Sequence, residues 1–484
     1  MMRPKLSNNL RRIAANAASL LASDVINRAT TFALYALVAR SLGAFEFGQL
    51  SLALTLFYTF QILAVAGLKT LVTREVAKRH ERTDELLVNG SAVVLATALA
   101  SMAVLAVFVR LMGYDASTAG VVLLLAAGLI PYALGAICEA IFQGWERMRL
   151  IAIANIPVNV IKIALAFGLL KTGLGLDWVI GLLVGSYVAI VLVEWVLILL
   201  YITVPHISLR WSVSVWLARS TVTFLGIDGI IAITGSLNVI LLSKFRGETE
   251  VGLYNAGTQL MVPVSLIYAS IVVSVFPLMC RRYEPTLQGI KRIGERVIEL
   301  MLSVALPTTV GLFLLSGTAI DLLYGSGLKR AELSMQIMVW GLILSAMTSI
   351  LGQVLVASLR ERVTLRIVAV DLIVSVVAGV PLIWQFGFAG AAVTALLTRA
   401  VDLFLHYRPV ANLFTPRVML ESAWKPLLAT GVLAIVYFEM SKHGDVVASI
   451  GCALAYIAAF SGLMLVDSGG PKNVKLRYAY LWSE

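Results

Sequence analysis

Long apolar runs, each close to the length that crosses a lipid bilayer, alternate with short polar connectors along nearly the whole chain. A spanning helix needs about 20 mostly apolar residues, and the runs fall at 13–39, 46–68, 86–109, 119–143, 150–170, 176–201, 215–243, 251–279, 295–317, 333–358, 364–385, 388–407, 423–441 and 446–466. About 14 transmembrane helices are therefore expected. The segment PHISLRWSVSVWLAR, from Pro205 to Arg219, carries Trp211 and Trp216 and reads as a short surface helix joining the sixth and seventh spans. The first run is basic and then apolar, but it continues to Val38 with Asp24 and Arg28 inside it and no A-x-A site. A retained first span is expected there, not a signal peptide.

Composition agrees with that pattern. Of 484 residues, 60% are hydrophobic and 13% charged, against about 45–50% and 25% in soluble domains, so a soluble protein is excluded. The net charge of +11 would point to nucleic acid in a soluble chain. Here it sorts by topology instead. With the N-terminus inside, 27 of the 38 Lys and Arg fall on cytoplasmic segments and eight on outside connectors, as positive residues resist translocation. Both termini are expected in the cytoplasm, and no nucleic-acid partner is expected. Cys138, Cys280 and Cys452 lie far apart with no metal-ligand spacing, and read as small packing residues.

An internal repeat is the most informative feature. RSLGAFEFG (40–48) follows the first span and KFRGETEVG (244–252) follows the seventh. An offset of 204 takes Arg40 to Lys244, Gly43 to Gly247, Glu46 to Glu250 and Gly48 to Gly252, and without a gap takes Asp24 to Asp228. Six spans separate the copies, so both enter the membrane in the same direction. Parallel repeats enclose a cleft, with substrate sites near the bilayer midplane. The expected fold is an all-α integral membrane protein with two parallel six-helix repeats around a central cleft. Residues 1–204 form the N-terminal lobe, 205–410 the C-terminal lobe, and 411–484 two appended helices with a cytoplasmic tail.

Fourteen spans arranged as six, six and two, the connector ARSLGAFEFGQ after a span with mid-membrane polar residues, and the basic loop TREVAKRHERTDELL together resemble polysaccharide flippases. These are the Wzx-type members of the multidrug/oligosaccharidyl-lipid/polysaccharide exporter superfamily, with the MATE-like architecture. The resemblance spans essentially the whole chain, although its motifs are loose and carry the superfamily better than the substrate. It implies that an undecaprenyl-pyrophosphate-linked oligosaccharide is moved from the cytoplasmic to the outer leaflet of a bacterial inner membrane by alternating access, for surface polysaccharide synthesis. It also implies a proton or sodium as coupling ion and polysaccharide polymerase or assembly proteins as partners. Lipid II flippases and MATE-type drug antiporters share the architecture and are the alternatives.

Charged residues at bilayer depth cost about 2.5–3.5 kcal/mol each on insertion scales, and they face a partner or a wet cavity. Asp24, Arg28, Glu139, Lys162, Glu194, Asp228, Asp371, Arg399 and Asp402 lie at such depth. Asp24, Arg28, Thr31 and Tyr35 share one helical face, as do Asn155, Asn159 and Lys162, and Arg399, Asp402 and His406. Arg28, Lys162 and Arg399 are the candidates to bind the pyrophosphate, a group best held by bidentate guanidinium forks. The competing reading makes Asp24–Arg28 and Arg399–Asp402 self-neutralising pairs. Asp228, which has no basic residue within one turn, is the first candidate for ion coupling, followed by Asp24 and Asp371; Glu194 has less support. An Asp hydrogen-bonded to a neighbouring helix would look the same. Tyr35, Tyr58, Tyr187 and Tyr268 are candidates to stack on sugar rings, or are ordinary packing and interface residues.

Absences narrow the class. There is no P-loop for ATP, no H-E-x-x-H and no nucleophile elbow, so neither cofactor nor metal is expected. Every outside connector is short, whereas an enzyme acting on lipid-linked sugars would need a long catalytic loop. A transporter, not an enzyme, is expected. The excess of cavity cations argues against a cationic drug as substrate.

Overall fold

The computed structural model describes residues 3–65, 67–206, 208–281, 288–358 and 361–470; the side chains of 3–14, 221–228, 273, 276, 277, 280, 281, 288–290, 292, 361, 362, 365 and 446 lie outside that description. All the described regular structure is helical. In chain order the helices are α1 (Arg3–Leu42), α2 (Ala44–Val65), α3 (Leu68–Lys78), α4 (Thr83–Met112), α5 (Ala116–Ala126), α6 (Leu129–Gly144), α7 (Arg149–Lys171), α8 (Leu176–Tyr201) and α9 (Trp211–Arg246). They continue as α10 (Glu248–Arg281), α11 (Gln288–Leu314), α12 (Ser316–Tyr324), α13 (Ala331–Met338), α14 (Gly341–Ala357), α15 (Glu361–Tyr407), α16 (Pro416–Met440) and α17 (Asp445–Ser468).

Among the described residues, 12 helical stretches are long and apolar enough to cross a membrane. One of them, Arg366–Val410, is 45 residues long and breaks at Gly387, whose φ of 58° and ψ of −133° are not helical. The 40-residue α1 is not among the 12, because charged residues interrupt it. Trp211 does not begin a separate surface helix, as the sequence suggested; it opens the continuous 36-residue α9. Outward faces of the spans are apolar, with Leu99, Val104, Val107 and Leu111 on α4 and Leu192, Val196 and Leu200 on α8 all exposed. Lipid can cover such side chains, and it cannot satisfy polar ones.

The chain divides into two compact units, Met1–Gly252 and Leu253–Glu484. In the first, α1 packs along α7, α6 contacts α3, α4 and α8, and α2 lies against α4, α5 and α9. One apolar core of that unit joins Leu68, Val72 and Val76 of α3 with Leu86, Leu87 and Val94 of α4 and Ile137, Ile141 and Phe142 of α6. In the second, α11, α16 and α17 pack together and α14 lies on α15. Lys425, buried on α16, bridges Glu299 on α11 at 2.8 Å and Asp467 on α17 at 2.5 Å. Removing one member of such a buried network leaves a charge without its partner, which costs about 3–5 kcal/mol.

The repeated connectors share a backbone geometry. Gly43 and Gly247 both have positive φ, 93° and 83°, and both end a helix by donating to the carbonyl four residues back, Ala39 and Ser243, at 3.2 Å. Only glycine adopts that conformation without cost. Five residues further on, Gly48 and Gly252 meet within the first unit. A Cβ on Gly48 would fall on the carbonyl of Glu248, and one on Gly252 would fall on the carbonyl of Ala44. The contacting residues are themselves offset by 204, so the two connectors cross reciprocally, as in a two-fold interface. Thr118 and Gln49 secure the crossing: Thr118 Oγ1 donates to Glu248 Oε1 at 3.0 Å and Gln49 Nε2 donates to Thr118 Oγ1 at 3.0 Å.

We expect Gly48→Ala and Gly252→Ala each to lower the thermal midpoint of the detergent-purified protein, because the backbone must separate; overpacking of this kind costs about 1–3 kcal/mol. Gly181→Ala and Gly185→Ala on α8 meet nothing within 4 Å and should leave the midpoint unchanged.

Candidate functional site

A cavity of ≈ 460 Å³ opens within the first unit, and its lining is unlike the apolar exterior. Ser23, Asp24 and Asn27 of α1, Lys69 of α3, Tyr132, Glu139 and Gln143 of α6, Asn155 and Asn159 of α7, and Tyr187 and Glu194 of α8 all face it. Helical periodicity explains the convergence: Gly135, Glu139 and Gln143 are spaced by four, as are Ile151, Asn155 and Asn159, so each helix turns one polar stripe inward. With the exterior given to lipid, that stripe has no other place to go.

The charges in the cavity are mostly paired. Lys69 Nζ closes on Glu139 Oε2, and Asn155 Nδ2 lies 3.4 Å from Glu139 Oε1. Burial alone would pull the Lys69 ammonium down, but the Glu139 carboxylate more than offsets it and holds the group above the ordinary lysine range. Asn159 donates to the Asn155 carbonyl at 2.9 Å and accepts from Lys162 Nζ at 2.6 Å. Arg28 Nε meets Asp24 Oδ2 at 2.9 Å, with both side chains about half exposed. Glu194 is fully buried, and neither of its carboxyl oxygens has a hydrogen-bond partner among the described residues.

The aromatic wall is built from packed rings. Phe57 stacks on Tyr187 with centroids 5.1 Å apart, and Tyr132 meets Tyr187 edge-on at 6.0 Å. Tyr187 faces the cavity. Tyr58 lines a separate hollow of ≈ 360 Å³ with Gln61, Gly235 and Ser236. Tyr35 is buried edge-on against Phe47 at 5.6 Å, so burial removes it from the polar face of α1 on which its spacing placed it. Tyr268 is buried in the second unit.

Of the three candidate cations, Arg28 and Lys162 lie on α1 and α7, which pack along each other. Arg399 belongs to the second unit, where it donates to Ser345 Oγ and lines a ≈ 150 Å³ hollow with Tyr254, Thr258 and Ser265. The Arg399–Asp402 pair of the competing reading does not form among the described contacts. Asp402 is taken instead by His406, one turn on, with Nδ1 2.8 Å from Oδ1. Asp371 is buried, and the Asp402 and His406 charges act on it, so a carboxyl pair and a histidine cluster on the two arms of α15. Asp228 sits on α9, but its side chain lies outside the described residues.

Lys69 escaped the sequence reading. It stands just past an apolar run, and its partner Glu139 is 70 residues away, beyond any helical spacing. A lone lysine adjoining a span was the only available signal.

Comparison with known proteins adds the following. A family model described as polysaccharide biosynthesis protein matches residues 13–282, more than half of the chain. A protein of Haloferax volcanii named probable low-salt glycan biosynthesis flippase Agl15 is 23% identical over 403 residues, covering 81% of this chain and 82% of its own length. Among solved structures, the lipid II flippase MurJ in an inward closed conformation superposes with a TM-score of 0.72 at 15% identity, covering 93% of this chain and 99% of that one. An inward-facing multidrug resistance MATE family transporter of the MOP superfamily gives 0.65 at 13% identity, covering 81% and 96%. The helical architecture expected from the sequence is thus a MurJ- and MATE-like fold.

If the cavity holds water, as its polar lining requires, single cysteines placed at Gln143 or Asn155, in a chain with Cys138, Cys280 and Cys452 replaced by Ala, should react with a small hydrophilic thiol reagent. One at Ile180, fully buried on α8, should stay unlabelled in the same membranes.

Proposed function

The chain belongs to the polysaccharide biosynthesis protein family, a family of membrane transporters and not of enzymes, and from that membership we propose that it is a flippase for a polyprenyl-pyrophosphate-linked oligosaccharide. In this reading the carrier is undecaprenyl pyrophosphate, the glycan passes from the cytoplasmic to the outer leaflet of a bacterial inner membrane by alternating access, and a proton or sodium gradient drives it toward surface polysaccharide assembly. The observation that carries the reading is the cavity of the first unit. Its amides (Asn27, Gln143, Asn155, Asn159) and tyrosines (Tyr132, Tyr187) are the groups that bind hydroxyls and stack on pyranose faces. The named glycan flippase from Haloferax volcanii, matched over most of both chains, supports the same substrate class.

A lipid II flippase is the second reading, favoured by the MurJ likeness over 93% of the chain; that likeness, at 15% identity, speaks for the fold. A drug antiporter has less support, because the Lys69 ammonium on Glu139 repels a cation and the amides give a lipophilic one no counter-charge, which leaves Glu194 as the one carboxyl of the lining without a hydrogen bond among the described residues.

Arg28 is the cation assigned to the pyrophosphate. It is half exposed beside the cavity and is oriented, not cancelled, by Asp24. Lys162 and Arg399 are lesser candidates: the first is buried on Asn159 and the second is engaged with Ser345. Fourteen spans follow if α1 crosses the membrane and the two arms of α15 cross separately, with residues 1–204 and 205–410 as repeats and 411–484 appended.

In a deletion strain, Arg28→Gln should reduce surface polysaccharide, since losing one charge-assisted contact costs about 1.5–3 kcal/mol, roughly tenfold to hundredfold in affinity; Arg28→Lys should rescue in part. The double variant Asp24→Asn/Arg28→Gln has no charge left unpaired. Full polysaccharide in that variant at normal membrane abundance would reduce Arg28 to a structural ion pair. For topology, single cysteines at Ser326 and His443, both exposed, should react with an impermeant thiol reagent in intact spheroplasts, and one at Glu81 only after lysis. The reverse pattern would invert the orientation.

A further inference from the structure

Glu194 is the feature of the first unit that the proposed function leaves without a role. It has no exposed surface, neither carboxyl oxygen has a hydrogen-bond partner among the described residues, and it forms part of the cavity wall. Gly135 of α6 stands opposite: a Cβ there would come within 3.0 Å of Glu194 Oε2, so a residue without a side chain leaves the carboxyl its space. Lys69 and Glu139, joined to each other, line the same cavity, and both act on Glu194 electrostatically.

Charge balance then limits the states of the cluster. Two carboxyl groups share one ammonium, and a buried ion without a counter-ion is prohibitively costly. Among the described residues, the other helices packed on α8 bring no second cation to the cavity lining; Arg149 and Lys171 stand at the two ends of α7, outside it. From α6 come Tyr132 and Cys138, from α2 Tyr58, and from α7 Lys162, which is spent on Asn159; α5 carries no titratable group between Ala116 and Ala126. Tyr187 lies on α8 itself, and Asp24 is held by Arg28.

We propose that Lys69, Glu139 and Glu194 form a one-proton exchange site, in which the lysine changes partner between the two carboxylates and the carboxyl it leaves takes up the proton. In the structure the lysine is on Glu139, and Glu194 holds the proton. In the alternate state Glu194 gives up its proton, its carboxylate draws Lys69 across the cavity wall, and Glu139 becomes protonated. Each state carries one ammonium, one carboxylate and one carboxylic acid, so the exchange leaves the net charge of the cluster unchanged while moving its ion pair from α6 toward α8. Resting on the flippase reading, this makes the cluster the point at which a proton gradient acts on the glycan cavity.

The test is infrared difference spectroscopy of the full-length protein in phosphatidylcholine liposomes, following the carboxylic carbonyl band that D₂O shifts. Glu194→Gln should lose one component of that band. Glu139→Gln should lose it as well, because the remaining Glu194 then takes the lysine. Lys69→Met should gain a component, with both carboxyls protonated, and Lys69→Met/Glu139→Gln should restore the Glu194 component, which shows that the loss in the single variant was not misfolding. A band unchanged in both glutamine variants overturns the exchange site. The same variants expressed in the deletion strain separate the two readings. Surface polysaccharide that remains sensitive to a protonophore in Glu194→Gln, as in the wild type, would overturn the role in driving transport, whereas a wild-type chain unable to restore polysaccharide would overturn the flippase reading and leave the infrared result standing.

Discussion

A lipid exterior offers no hydrogen bond to any side chain, and that constraint organises the charged residues of this protein. Most intramembrane charges whose side chains are described meet another polar group: Arg28 meets Asp24, Glu139 meets Lys69, Lys162 meets Asn159, Asp402 meets His406, and Lys425 meets Glu299 and Asp467. Glu194 is the exception that makes the pattern useful. A carboxyl placed in a cavity wall with room left for it by Gly135, and with no hydrogen bond, is a group whose partner is shared.

The repeat serves a different end. The motif repeated after 204 residues is structural: Gly48 and Gly252 occupy equivalent places in one reciprocal crossing, and Gly43 and Gly247 both end their helices with positive φ. Small residues at a helix crossing let backbones approach where no hydrophobic force drives association in lipid. The glycines therefore carry packing, and the flanking Thr118, Gln49 and Glu248 side chains hold the register with hydrogen bonds.

The chemistry of the cavity departs from a simple basic pocket. The first unit brings amides, tyrosines and the Lys69–Glu139 pair to one surface, with Arg28 half exposed at its side. Such a lining suits a neutral, hydroxyl-rich ligand at least as well as a phosphate, because amides donate and accept without a counter-ion.

Spanning length, apolar content and basic-residue bias made the all-helical membrane class legible from sequence alone, because the bilayer imposes the same thickness on every crossing regardless of tertiary context. The connectors' glycines were legible too, since they recur at a fixed offset. Inward faces were partly legible: the periodicity of Asn155, Asn159 and Lys162 placed them on one stripe, and the structure keeps them there. Partners across helices were not. Helical spacing reports neighbours three or four residues apart, so it paired Arg399 with Asp402 when the rotamers and the packing of α14 on α15 gave Ser345 to the arginine and His406 to the aspartate. Likewise Lys69 and Glu139, 70 residues apart, and the empty space before Glu194 exist only once α3, α6 and α8 are packed, because long-range electrostatic pairing is a property of distance in space and leaves no period in the chain.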